Sequence, residues 1–221
     1  DFFLKSNATY YIANCAVRLN QPNAEFLVES FVRDYPSSIK RNSAYFEIAN
    51  YYFKTSKYAY ACKWYEKVEI NRLSISNWEP FHFNYGYSLY EIKNYEKAKL
   101  NLNRLESSQV YGSQAKYYMG FMAYQSDDYN TASIYFDQLE VVSSYNENLA
   151  YYQADLNFKL GNFKKATDLA LVRIKEGSAK EVSELSKIIG ESYFNLQDYA
   201  KAIPYLEAYK GNKGRWNHTD F

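Results

Sequence analysis

Gly120-Phe121-Met122-Ala123-Tyr124-Gln125-Ser126-Asp127-Asp128-Tyr129-Asn130-Thr131-Ala132-Ser133-Ile134-Tyr135-Phe136 is the stretch whose reading decides the fold. Its pattern predicts two helices joined by a tight corner at Ser126-Asp127-Asp128, where short polar residues belong. Gly120 before the corner and Ala132 after it leave room for two backbones to approach. Tyr129, just past the corner, is placed to wedge between them.

The same arrangement recurs along the chain. Ala24, Ala61, Ala98, Ala132, Ala166 and Ala202 stand 37, 37, 34, 34 and 36 residues apart. An aromatic residue precedes each Ala by three from the second copy on: Tyr58, Tyr95, Tyr129, Phe163 and Tyr199. Twelve before each Ala stand Ile12, Ala49, Gly86, Gly120, Ala154 and Gly190, small in five of the six. A lone hairpin cannot bury its apolar stripe, so a period of this length implies that neighbours stack and share a core.

These offsets match the tetratricopeptide signature of a small residue, an aromatic, an Ala and a bulky residue four further on. Over nearly its whole length the chain resembles the tetratricopeptide repeat family. The resemblance implies an all-α solenoid of about six antiparallel helix hairpins, wound as a right-handed superhelix. It implies one array over residues 1–214, with repeats at about 5–36, 39–73, 79–110, 113–144, 147–177 and 180–210. Gly211-Asn212-Lys213-Gly214 reads as a flexible break, and 215–221 as the start of a further helix or a frayed tail. Ile12 and the absence of the family's early Trp mark the array as divergent. Pro22 suits the start of a second helix and Pro36 its end. Pro80 is placed in the first turn of a helix beginning near Glu79, after a link over Asn71 to Glu79.

Composition narrows the function classes. The 47% hydrophobic and 23% charged shares are ordinary, whereas the 19% aromatic share, with 26 Tyr, is high. A net charge of +1 offers no field to recruit nucleic acid or an anionic membrane. No apolar run approaches the roughly 20 residues a membrane-spanning helix needs. Cys15 and Cys62 fall at packing positions of different repeats and are expected as buried free thiols, with no cluster to hold a metal. No grouping for catalysis stands out. His82 is expected at a helix interface, His218 lies near the C-terminus, and no phosphate loop or nucleophile elbow occurs. No cofactor, metal site or enzymatic activity is therefore expected, and the partner is expected to be a protein or peptide.

In tetratricopeptide arrays the first helices line the concave side, where partners commonly lie. By position, the resemblance carries this over to Phe46, Asn50 and Phe53; Phe83, Tyr87 and Tyr90; Tyr117, Phe121 and Tyr124; Tyr151, Asp155 and Phe158; and Lys187, Glu191 and Phe194. Each set lies at i, i+4, i+7 on one helix face. Some of these rings are expected to pack on the adjacent repeat. Tyr87 and Phe121, where the family commonly has a small polar residue, are the leading candidates for partner contact. One subclass grips acidic C-terminal tails with Lys and Asn; here only Asn50 and Lys54 resemble it, while Tyr87 and Glu91 depart from it. An apolar or aromatic-bearing segment is the better match. The alternative reading is an architectural spacer that self-associates through open end repeats. Both chain ends look cut. The Tyr-, Asn- and Lys-rich repeats also resemble bacterial cell-envelope arrays, so a periplasmic or outer-membrane-associated location is expected, with the cytoplasm as the alternative.

Overall fold

The computed structural model describes residues 2–139 and 143–212. Among these residues there are twelve α-helices and no strand: α1 (Phe2–Arg18), α2 (Ala24–Asp34), α3 (Arg41–Lys54), α4 (Tyr58–Tyr65), α5 (Ile75–Glu91), α6 (Tyr95–Leu102), α7 (Gly112–Gln125), α8 (Tyr129–Leu139), α9 (Ser143–Lys159), α10 (Phe163–Arg173), α11 (Ala179–Asn195) and α12 (Tyr199–Asn212). They form two compact units, Asp1–Tyr118 and Met119–Phe221. In the first unit α1 packs on α2, α3 on α4 and α5 on α6, and each of the later hairpins packs on the one before. In the second, α9 pairs with α10 and α11 with α12, while α8 lies on α9 and α10 on α11.

Small residues set the closeness of the hairpins. A Cβ added to Gly86 would lie 2.9 Å from Leu102, one on Gly120 2.5 Å from Phe136, and one on Gly190 2.7 Å from Leu206. The facing alanines Ala61, Ala98, Ala132 and Ala166 are wholly buried. Every corner turns through one left-handed residue: Asn20, Ser56, Lys93, Asp127, Gly161 and Gln197. The following N–H then reaches back to a carbonyl five residues earlier, as in Lys57 to Tyr52 (2.9 Å), Asn94 to Leu89 (2.8 Å) and Asp198 to Tyr193 (2.9 Å). This closure satisfies carbonyls that a helix end would otherwise leave open.

Several sequence expectations need correction. From the second hairpin on, the left-handed residue precedes the second-helix Ala by five, but Asn20 precedes Ala24 by four. The first corner is thus one residue shorter, so buried Ala13 takes the small position and Ile12 is 59% exposed. Cys15 is likewise exposed rather than packed. Pro80 lies inside α5, which begins at Ile75 and not near Glu79. The carbonyl its ring leaves unbonded belongs to exposed Ser76, within reach of water. No break begins at Gly211, because α12 continues through it to Asn212; residues 213–221, including His218, lie outside the described residues.

Buried Cys62 has its thiol pushed up to about 12 by desolvation and by the nearby Glu66, which keeps it protonated. His82 is 1% exposed and bonds Asn101 Oδ1 through Nδ1 at 2.9 Å, at the α5–α6 interface as expected. Burial holds its pKa below the ordinary imidazole value.

Two stability tests follow. Overpacking costs about 1–3 kcal/mol against a helix-propensity gain of about 1 kcal/mol. Gly120→Ala, with the buried Phe136 ring in the way, is therefore expected to lower the denaturation midpoint. Gly211→Ala, which meets nothing within 4 Å, is expected to hold or raise it. At the start of α11, Ser178 and Glu181 form a reciprocal capping box, and Glu181 is also 3.0 Å from Arg173. The Ser178 N–H and then Arg173 hold the Glu181 carboxyl down at about 2. A depressed carboxyl adds stability above its unfolded pKa and loses it as pH falls toward the folded value. Acid melts of wild type should therefore drop more between about pH 4.5 and 2 than those of Glu181→Gln.

Candidate functional site

The candidate residues lie on first helices, and the structure separates those that face solvent from those that pack. Within the first unit, Phe53, Tyr58, Phe83, Tyr87, Tyr90 and Tyr118 form one connected ring cluster. Tyr87 meets Phe53 at 5.9 Å, Tyr58 at 5.4 Å and Tyr118 at 4.9 Å, each edge-on. Tyr118 also meets Tyr90 at 5.0 Å, and Phe83 stacks on Tyr111 at 4.8 Å. All these rings are half-buried, so each keeps an exposed edge while its neighbours fix it. Tyr117, also half-buried, stands beside Tyr118 at 5.4 Å. Asn50 accepts from Tyr65 Oη (2.6 Å) and Asn84 Nδ2 (3.0 Å), which ties α3 to both α4 and α5.

Burial pushes the Tyr90 phenol up to about 12, with Tyr95 and Glu91 adding to it. Burial, then a hydrogen bond to Glu91, moves Tyr87 the same way. These hydroxyls are therefore uncharged across the physiological range. Nearby, a cavity of about 290 Å³ is lined by Val17, Arg18, Asn20, Glu47, Asn50, Tyr51 and Lys54. Glu47 pairs with Arg18 at 3.2 Å, so an acid already occupies this pocket's wall.

Two of the candidate rings are core. Phe46, 5% exposed, sits 6.4 Å from both Tyr65 and Phe81. Phe121, 8% exposed, lies 5.1 Å from Phe136 and 4.7 Å from Tyr152. A first helix has neighbours on two sides, so a large residue placed toward the groove can still be enclosed. The leading pair of partner-contact candidates thus reduces to Tyr87.

In the second unit the candidates split again. Tyr124 donates to Asp155, and Lys159 Nζ lies 3.1 Å from Asp155 and 3.2 Å from Tyr124 Oη. The same ammonium covers the rings of Tyr124 at 4.6 Å and Tyr129 at 4.9 Å. Burial opposes the Lys159 charge, but the Asp155 carboxylate outweighs it and raises its pKa. Tyr124 and Asp155 are therefore committed to joining α7 and α9. Tyr151 and Phe158 are half-buried beside Tyr152 and Phe163, and Glu191 is also half-buried. Lys187 Nζ lies over the Tyr209 ring, and Phe194 is 57% exposed beside Tyr199.

The i, i+4, i+7 pattern omits Tyr118 and Tyr152, each of which meets several candidate rings: Phe83, Tyr87, Tyr90 and Tyr117 for the first, Phe121, Tyr124 and Tyr151 for the second. Both stand two residues before the small residue of their helix. Glu47 and Asn84 hold the same place in α3 and α5 and bond the previous hairpin through Arg18 and Asn50. The signal was present in the repeat register, at a position outside the three assigned to the groove.

Neither a protein-family model nor a curated protein matches the sequence. Solved structures do. MamA of AMB-1 is similar at 15% identity over 80% of this chain and 94% of its own, with a TM-score of 0.66. PilF of Pseudomonas aeruginosa is 21% identical over 95% of this chain and 92% of its own, with a TM-score of 0.56. A tetratricopeptide repeat protein of Parabacteroides merdae is 18% identical over 93% and 79%, with a TM-score of 0.57. The chain has the tetratricopeptide-repeat fold. Among the described residues no helix is long and apolar enough to cross a membrane, and no group of His, Cys, Asp and Glu is arranged to hold a metal.

Asp155 is placed here as a packing residue, which can be measured. Asp155→Ala leaves a half-buried phenol and an ammonium without their acceptor and is expected to cost about 1–3 kcal/mol. Tyr124→Phe removes one hydroxyl and should cost about 1 kcal/mol. Urea denaturation should rank the two in that order.

Proposed function

We propose that this protein is a non-enzymatic scaffold for protein–protein contact, and that the first-helix face of residues 2–118 holds a partner segment. Neighbours of the same fold support an interaction role in general. The single observation that carries the site is the ring cluster centred on Tyr87. Its half-exposed rings are already ordered by edge-to-face contact, so little rotamer freedom remains to be lost on binding.

The chemistry of this face selects the class of ligand. Neutral phenols and ring edges suit an apolar or aromatic-bearing segment with free backbone or side-chain acceptors. An acidic tail suits it less, since Glu47 offsets Arg18 in the adjoining cavity and Glu91 stands beside Tyr87. Phe53, Tyr87, Tyr90 and Tyr117 are the residues assigned to contact. The compartment proposed with this reading is the bacterial cell envelope, on the style of the repeats alone.

A displayed peptide library selected on the protein tests the reading. Enriched peptides should carry aromatic or large apolar residues. Tyr87→Ala should weaken them on the order of 10-fold or more, as truncating an interface anchor does, while far-ultraviolet circular dichroism stays unchanged. Peptides that bind wild type and Tyr87→Ala equally would show that this face is not the site.

A further inference from the structure

The repeat register that orders the tyrosine face also leaves an unmatched charge at its edge. In the second unit the ring pair at one corner is Tyr124 and Tyr129, 6.0 Å apart. Two residues of the next first helix reach it: Asp155, one after the small Ala154, and Lys159, five after it. In the first unit the matching pair is Phe53 and Tyr58, 6.2 Å apart. One and five residues on from Gly86 stand Tyr87 and Glu91. A third ring therefore takes the place of Asp155, and a carboxylate takes the place of Lys159. The charge at that place is reversed.

Elsewhere the chain lays its own cations over its rings. Lys40 Nζ is 5.6 Å from the Tyr10 ring, Lys67 Nζ 4.3 Å from Trp64 and Lys201 Nζ 5.4 Å from Tyr193. Among the described residues no Lys or Arg lies over Phe53, Tyr58, Phe83, Tyr87 or Tyr90. None pairs with Glu91 either, which is exposed and accepts its hydrogen bond from Tyr87. Lys54 holds the place of Glu91 one hairpin earlier, and it lines the cavity shared with Arg18 and Asn50 instead.

An aromatic ring presents a negative face, and a carboxylate beside it adds a full charge of the same sign. An ammonium or guanidinium arriving there gains from both, and the half-buried rings keep part of the contact out of water. Lys159 shows the same groups assembled within this chain: one ammonium on two rings, with a carboxylate at 3.1 Å.

We infer that the segment held at Tyr87 carries a Lys or Arg side chain, seated on the Phe53, Tyr58 and Tyr87 rings and paired with Glu91. This rests on the reading of the tyrosine face as the partner site and adds the charge of the ligand. The partner segment is then basic as well as apolar.

A random peptide library displayed on phage and selected on the full chain tests it. Retained peptides should place a Lys or Arg close to an aromatic residue. In the best of them, replacing that basic residue with uncharged norleucine should weaken binding on the order of 5–10-fold, and less at high salt. On Glu91→Gln the same replacement should cost less than on wild type, because the carboxylate is gone. Basic residues no commoner than in the unselected library overturn the inference. An equal cost of norleucine on wild type and Glu91→Gln overturns it too. Either result leaves the site standing where the peptides are lost on Tyr87→Ala. Peptides indifferent to Tyr87→Ala, or no retained peptide at all, overturn the site and the inference together.

Discussion

A large side chain lying against a small one, Gly or Ala, is the contact on which the hairpins depend. The Phe136 ring occupies the space a Cβ on Gly120 would need, and Leu102 and Leu206 do the same opposite Gly86 and Gly190. Two helices this close leave no void between them and exchange backbone–solvent surface for dispersion contact. The large residues also reach beyond their own hairpin: Tyr65, four after Ala61, covers Phe81 and Tyr85 of the next. Closeness within a hairpin and stacking between hairpins thus follow from the same pair of positions, and neither can be relaxed alone.

The abundance of tyrosine has a physical reason in this arrangement. A boundary between hairpins is apolar in its middle and wet at its rim, and a tyrosine spans both. Tyr52 donates to Glu25 of the previous hairpin, Tyr124 to Asp155 of the following one, and Tyr85 reaches Glu66 at 3.4 Å. Asn42 serves a similar end with backbone: it accepts from the Glu69 N–H at 2.7 Å and donates to the Glu69 carbonyl at 3.0 Å. Buried polar groups at these joints are therefore matched to acceptors on the neighbouring element, which fixes register as well as adding stability.

Most of the helix pairing was legible because Ala and Gly at fixed offsets report a geometric necessity. The failures share a cause in length and enclosure. The first corner lacks one residue, and since a helix turns about 100° per residue, aligning on Ala24 pointed to Ile12 when Ala13 was the packed residue. Pro80 was read as a helix start because a ring usually cannot sit deeper, yet the carbonyl it strands belongs to exposed Ser76. Phe46 and Phe121 were read as groove residues because periodicity gives one face. A helix with neighbours on two sides buries more than one face, and the sequence does not say which aromatic is enclosed.

That enclosure also distinguishes the two units as binding surfaces. In the second, Lys159 lies across Tyr124 and Tyr129 and is held there by Asp155, so a ligand seeking those rings would have to displace a paired ammonium. Removing one member of such a partly buried set leaves the other charge exposed to loss of its partner, a cost that a weakly bound segment cannot offset. In the first unit the rings about Tyr87 are ordered by one another, through contacts between ring edges and faces. A partner can add an edge to that cluster without breaking an ion pair, which is why the proposed contact lies at Tyr87 and not at Tyr124.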